Sequence, residues 1–446
     1  MNRLPITIIK DEFYKIVKTI YVQPDSKYFD IDEQGNKLVY EKTSFQIDMI
    51  LYLLLSQYFK KIKIKFGGEL KDLRISFFLI MPSRLGKGQL IKVVESVGKN
   101  IGLKIKRISY LNQASLIGSL NGSAMDYNMN HNYQPNHPKY KNPVMYGALA
   151  TTDIIIFPEA KKLVKGSNEA DTEFILSTLQ EALDYPGVIN KELKFTDFPI
   201  TYESTSSVFA TTYFLTEISE LLLTQGFFQR IVTFKQDYTL KQIEDLRIEI
   251  IEKYRSTNTK VDFENQSKDF SEAINGLNNN EKILEMDNQA VDMLHDFNKV
   301  FFENIRKITG KQLEILKSFS QTIIEIIVRI AGINCCVREG NKIIVQDMTP
   351  AIETFNKFYT TIIDELVVIE KSNPLLELKN RIIQLYKKYV SEKGNFPSKS
   401  DLITYCRSQG LSYVKTQNTI NIMEKENYFL IIISEHNKQI LKLIEE

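Results

Sequence analysis

Apolar residues recur along this chain in two rhythms. Between Ser44 and Phe59 they fall at i, i+3 and i+4 and predict a helix with one buried side. Elsewhere they form short runs of strand length. One spans Ile75 to Ile80, and another, Ile154 to Phe157, has no polar position at all, as a strand buried on both faces of a parallel sheet requires. The first run leads through the segment MPSRLGKG into a predicted helix over Leu90 to Asn100, followed by a strand within Leu103 to Tyr110. After the second come a helix over Asp171 to Leu183, a hairpin over Gly187 to Thr201 with its turn near Lys191 to Lys194, and a short buried strand at Ser207 to Ala210. Strands alternating with helices imply an α/β domain built on a parallel sheet.

Leu240 to Tyr359 reads as helical, with polar breaks at Thr257 to Ser271 and Asn278 to Asn280. Beyond Asn373 and Pro374 the pattern predicts helices over Leu375 to Glu392, Ser398 to Ser408 and Tyr413 to Glu426, then a strand pair around Tyr428 to Ile440. That order fits a winged helix-turn-helix. The chain thus divides into a helical entry module over 1–70, an α/β core over 71–235, a helical lid over 236–365 and a winged helix over 366–446.

Charge changes this picture little. Fifty-seven Lys and Arg against 55 Asp and Glu give a net charge of +2, unlike a protein built to coat nucleic acid, so any polyanion contact is local. Three cysteines and four histidines cannot supply a zinc cluster or a disulfide framework, which points to a reducing compartment, and no metal-ligating set is expected. No apolar run approaches the ~20 residues that cross a bilayer. The N-terminus meets acidic residues before a signal core forms, so a cytoplasmic protein without a membrane partner is expected.

Candidate chemistry starts at Met81 to Gly88, between a buried strand and a helix N-terminus, where free N–H groups favour an anion. Lys87 would reach the β- and γ-phosphates of a nucleotide, with Ser83, Arg84, Gly86, Gly88 and Gln89 around them. Two positions depart from the phosphate-loop pattern: Met81 stands for the first Gly, and Gly88 for the Ser or Thr that binds Mg²⁺. Glu159 follows the strand Ile154 to Phe157 at its carboxyl end, where α/β sheets bind ligands, and would orient the attacking water. Pro158 occupies the usual place of a metal-associated Asp, and Asp153 lies ~17 Å of strand away. The polar stretch Asn121 to Tyr146 reads as an inserted surface loop. Its Tyr127, Tyr133, Lys139, Tyr140 and Lys141 form an aromatic and basic mixture suited to stacking and neutralising single-stranded DNA.

Over roughly residues 70–355 the order of elements resembles the minichromosome maintenance (MCM) branch of AAA+ ATPases, the group that includes replication helicases of viruses and mobile elements. Met81 to Leu90 stands where that family has GDPGxAKSQL, sharing Lys87, Gln89 and Leu90. Tyr146 to Leu149 is similar to its AGAL, and Glu159 matches the Glu of its DE pair. Leu179 to Leu183 followed by Gly187 to Lys191 resembles HEAMEQQ…ISIAK, and Phe209 to Thr212 the sensor 1 strand, with Thr212 or Tyr213 as its polar residue. Gly226 to Phe234 resembles LLSRFDLIF, and Thr309 to Glu314 resembles TxRQLE.

The resemblance implies a P-loop AAA+ core using ATP and Mg²⁺ in a homo-oligomer, expected to be a hexameric ring with single-stranded DNA in its pore. Arg230 would be an arginine finger acting on a neighbour, and Lys311 would stand at sensor 2, Arg329 being the rival alignment. Lys191 and Lys194 of the hairpin and Lys139 and Lys141 of the insert would face DNA, while Lys415 and Asn418 on the last helix would contact a duplex. A helicase, translocase or replication initiator is the leading expectation. The alternative is a degenerate AAA+ scaffold that recruits partners to DNA without efficient hydrolysis, kept open by Gly88 and Pro158, and a third reading is a transcriptional regulator built on the winged helix.

Overall fold

The computed structural model describes residues 5–21, 27–31, 37–41, 45–82, 85–109, 113–120, 144–160, 169–192, 199–212, 228–236, 241, 243–244, 247–248, 251, 259–306, 311–356, 374–425, 428–433 and 439–444. The chain forms two compact units, Met1–Ile363 and Asp364–Glu446.

The first unit begins with helix α1 (Pro5–Ile20), the strand pair β1 (Lys27–Ile31) and β2 (Lys37–Glu41), and helix α2 (Phe45–Tyr58). α2 is buried almost all round, Gln46, Ser56 and Gln57 included, as an apolar helix lodged inside a domain must be. β3 (Lys63–Phe66) and β4 (Glu69–Asp72) then form a hairpin ahead of β5 (Phe77–Ile80). From β5 the chain passes through helix α3 (Lys87–Asn100) to β6 (Ile105–Arg107), then α4 (Gln113–Leu116) and the hairpin β7 (Gly118–Leu120) and β8 (Val144–Tyr146). Helix α5 (Ala148–Thr151) leads to β9 (Ile154–Phe157), followed by α6 (Glu169–Leu183) and the hairpin β10 (Gly187–Glu192) and β11 (Pro199–Ser204). β12 (Ser207–Thr212), a 3₁₀ turn at Phe228–Arg230 and β13 (Val232–Lys235) complete the core.

Five of these strands make one parallel sheet in the order β13-β5-β12-β9-β6. β5, β9 and β12 are buried on every residue, which is why they read as unbroken apolar runs rather than alternating ones. Phe77 and Phe209 stack across neighbouring strands at 5.8 Å. From β5 the chain runs to the far edge at β6 and returns through β9 to β12, and from β12 it crosses β5 to β13. Connections therefore leave the adjacent strands β5 and β12 in opposite directions, and their carboxyl ends form a topological switch point, the place where open α/β sheets hold ligands.

The stretch expected to be helical with polar breaks at Thr257 to Ser271 and Asn278 to Asn280 carries two strands as well, and from Thr259 onward the first of those breaks is itself helical. Helices α7 (Thr259–Asn275), α8 (Asn288–Ile305) and α9 (Lys311–Val337) are joined by β14 (Ile283–Met286) and β15 (Lys342–Ile343), with helical residues following over 345–356. β14 pairs in parallel with β3, so a second sheet, ordered β15-β14-β3-β4, joins chain segments more than 200 residues apart.

The second unit holds helices α10 (Pro374–Lys393), α11 (Lys399–Ser408) and α12 (Tyr413–Lys425) and the antiparallel pair β16 (Phe429–Ile433) and β17 (Gln439–Leu443). Its core gathers Ile382, Leu385, Leu402, Cys406, Ile420, Met423, Phe429 and Leu441. Ser398 starts α11 with a capping box closed by Asp401. Among the described residues no helix is long and apolar enough to cross a membrane.

Candidate functional site

At the carboxyl edge, three loops are tied together. The Met81 N–H donates to the Thr212 carbonyl at 2.9 Å, so the start of the candidate phosphate loop is pinned to the end of β12. The loop turns into α3 at Gly86, whose φ of 102° lies in the left-handed region that glycine enters freely. A Cβ at that position would also lie 2.5 Å from Cε2 of Tyr21, which is buried just past the end of α1. The N–H groups of Gln89 and Leu90 already use the Gly86 carbonyl.

Lys87 is the first residue of α3, and its Nζ turns back to the carbonyls of Met81 (2.6 Å) and Pro82 (3.3 Å). Burial lowers its pKa from the ordinary lysine value, and the negative charge of Glu159 acts to raise it. Glu159 is exposed at the end of β9. The residues beside it are fixed to β12: the Thr211 hydroxyl donates to the Pro158 carbonyl at 2.5 Å, and the Ala160 N–H to the Thr211 carbonyl at 2.7 Å. Lys87, Glu159 and Thr212 thus stand at the carboxyl ends of adjacent strands, beside the switch point. Gly88 and Gln89 continue the first turn of α3, while Ser83 and Arg84 lie outside the described residues.

Among the described residues of this edge, the positions that usually hold Mg²⁺ do not supply a site. Gly88 has no hydroxyl, Pro158 has no carboxylate, and Thr211 already spends its hydroxyl on a carbonyl, so of these positions and their neighbour Glu159 only Glu159 offers an anionic oxygen. No group of three or more His, Cys, Asp or Glu among them has the arrangement of a metal site.

Arg230 lies at the opposite, amino edge. It precedes β13, whose Val232 N–H donates to the Ser76 carbonyl, so the ~13 Å length of β5 separates it from the Lys87 loop. Its Nε and Nη2 form a fork on the Asp184 carboxylate at 2.6 and 2.9 Å. Beneath that pair Arg74 is buried, bonded to Asp72 and donating to the carbonyls of Ala182 (2.8 Å), Ser204 (2.8 Å) and Asp184 (2.7 Å). Arg329, the rival sensor 2 residue, belongs to this edge too, with Nη1 donating to the Arg74 carbonyl at 2.9 Å.

Lys191 is turned away from solvent. In β10 it shares a face with the buried Ile189, opposite the exposed Asn190, and its Nζ pairs with Glu181 at 2.9 Å and sits 5.1 Å from the centre of the Phe174 ring. Alternation along the strand dictates this orientation. Lys194, Lys139 and Lys141 lie outside the described residues. Tyr213 does too. Lys311 is the first residue of α9. On α12, Lys415 and Asn418 are exposed, alongside Tyr413 and Val414.

Sequence reasoning found the groups on the carboxyl edge and missed Arg74, Glu181 and Asp184. A charge directly before an apolar run, as at Arg74, is the one local signal of a buried ion pair. No protein-family model matches the chain, and no curated protein matches it.

Proposed function

We propose that the chain is an ATP-driven motor on DNA, built on an AAA+ core of the MCM-like kind, with a winged helix at its C-terminal end. One observation carries the reading: Lys87 and Glu159 come from two different loops to the carboxyl edge of one five-stranded parallel sheet, at its switch point, and the charge of Glu159 acts on Lys87, which puts a cation for phosphates and a carboxylate for water at one edge. ATP is the substrate. Its phosphates would draw Lys87 away from the Met81 and Pro82 carbonyls, which are weak neutral partners for an ammonium. Glu159 would accept a hydrogen bond from the attacking water and orient it toward the γ-phosphate. Thr212, at the end of the strand between them, would sense the phosphate.

Arg230 cannot reach a nucleotide held by its own chain, because it stands at the other edge of the sheet. A supplied arginine therefore requires a neighbouring copy, which supports a ring of subunits, in keeping with an expected hexamer. The hairpin β10–β11 stands at the same edge and would meet single-stranded DNA, through Lys191 once Glu181 releases it and through Lys194. Lys415 and Asn418 on the third helix of the C-terminal unit would touch duplex DNA. Any Mg²⁺ would arrive with the nucleotide, held by phosphate oxygens and water.

A specific observation also favours a second reading. The absent hydroxyl and carboxylate at Gly88 and Pro158 suit a scaffold that binds nucleotide without turning it over. ATP binding and ATP hydrolysis, measured separately with and without single-stranded DNA, distinguish the two. The motor hydrolyses ATP faster with DNA and loses both binding and hydrolysis as Lys87→Ala; the scaffold binds ATP and releases no phosphate under either condition.

A further inference from the structure

We propose that Asp184 is the positioning residue for Arg230 in hydrolysis between subunits, an inference that rests on the reading of Arg230 as the arginine supplied to a neighbour. An arginine side chain has many rotamers and loses substantial freedom when fixed, so an unheld finger at a subunit edge would spend most of its time misdirected. Here it is held. Asp184 grips the Nε and Nη2 side of the guanidinium with both oxygens, at 2.6 and 2.9 Å.

Asp184 is itself mounted rigidly. It follows the last turn of α6, where its N–H donates to the Gln180 carbonyl at 3.1 Å, and its own carbonyl takes Nη2 of Arg74 at 2.7 Å. Arg74 is 3% exposed and also binds the carbonyls of Ala182 and Ser204, so one buried guanidinium joins the end of α6 to the base of β11. The Asp184 side chain, by contrast, is 53% exposed and the Arg230 side chain 29%. A pair so wet adds little to folding, so aiming the arginine accounts for the fork better than stability does.

Three residues earlier on α6, Glu181 holds Lys191 of the hairpin. One helix end therefore carries the carboxylates that hold both the arginine for the neighbour's nucleotide and the lysine for DNA.

The test is ATP turnover by the full chain, assembled on single-stranded DNA. Asp184→Ala should lower kcat about tenfold with KM for ATP unchanged, with particle mass and unfolding midpoint like wild type. Asp184→Glu should recover part of the loss. The Asp184→Ala/Arg230→Ala double variant should be no slower than Arg230→Ala alone, because the carboxylate acts only through that side chain. Wild-type turnover by Asp184→Ala beside a slow Arg230→Ala overturns this inference, as does a double variant slower than either single one. Wild-type turnover by Arg230→Ala overturns the reading on which it rests.

Discussion

The hydroxyl of Thr211 donates to the carbonyl of Pro158 across 2.5 Å, fastening the residue before Glu159 to the neighbouring strand. The Ala160 N–H returns a bond to the Thr211 carbonyl, so Glu159 is bracketed on both sides by one residue of β12. Thr211→Val keeps the shape and removes the donor, leaving a carbonyl unpaired at a cost of about 1–3 kcal/mol. ATP turnover should fall about tenfold as Glu159 loses its aim, and Thr211→Ser should retain wild-type behaviour. Equal rates for Val and wild type would show that the bracket does not position Glu159.

Arg74 answers to structure rather than chemistry. Burial pushes its guanidinium below the ordinary arginine value while the charge of Asp72 pulls it back up. Arg74→Met leaves three carbonyls unpaired in the interior and the Asp72 carboxylate with Arg329 Nη2 at 3.8 Å as its remaining ion partner, and should cost about 3–5 kcal/mol, read as a shift in the denaturant midpoint. Arg74→Lys should fail to rescue it, because one ammonium cannot span acceptors set around a planar fork. A lysine variant as stable as wild type would contradict the network.

Lys191 is held by Glu181, and DNA phosphates would have to compete for it. Glu181→Gln should tighten single-stranded DNA binding several-fold at low salt by removing the competing carboxylate. Lys191→Met should weaken binding and reduce the slope of log affinity against log salt by about one. Fluorescence anisotropy across a salt series reads both. A Gln variant with unchanged affinity would put the DNA contact elsewhere on the hairpin.

The three cysteines are free and buried, and burial pushes the thiols of Cys335 and Cys406 up to about 11, with Cys336 raised as well. The native state therefore favours the protonated thiol. The stability this contributes is intact below the ordinary thiol value of about 8.5 and is lost as pH rises through 9 toward 11, where the unfolded chain sheds these protons first. Urea midpoints should fall over that window, less steeply for a Cys335→Ala/Cys406→Ala chain. Identical slopes for the two chains would exclude the thiols as the cause.

The parts of this fold that were legible in the sequence are those whose burial is complete. Ile154 to Phe157 and Phe77 to Ile80 carry their strand character in every residue, and the Lys87 loop sits between two such unmistakable elements. β14 was not legible. Its four residues, Ile283 to Met286, are too few for a period to show, and what makes them a strand is β3, more than 200 positions earlier. The same holds at the amino edge: Arg230 was recognisable from its local motif, but its partner Asp184 and the Arg74 beneath come together only in three dimensions. Lys191 was identified by position along the hairpin, and its inward face follows from strand alternation counted from the buried Ile189.

The central claim is that Glu159 prepares water for ATP held at Lys87, and Glu159→Gln tests it most directly. ATP binding and phosphate release are followed together, with single-stranded DNA present. The account predicts that the variant binds ATP as wild type does and releases phosphate at least a hundredfold more slowly, within the ~10²–10⁴ expected for loss of a general base. Phosphate release at the wild-type rate by Glu159→Gln would contradict it.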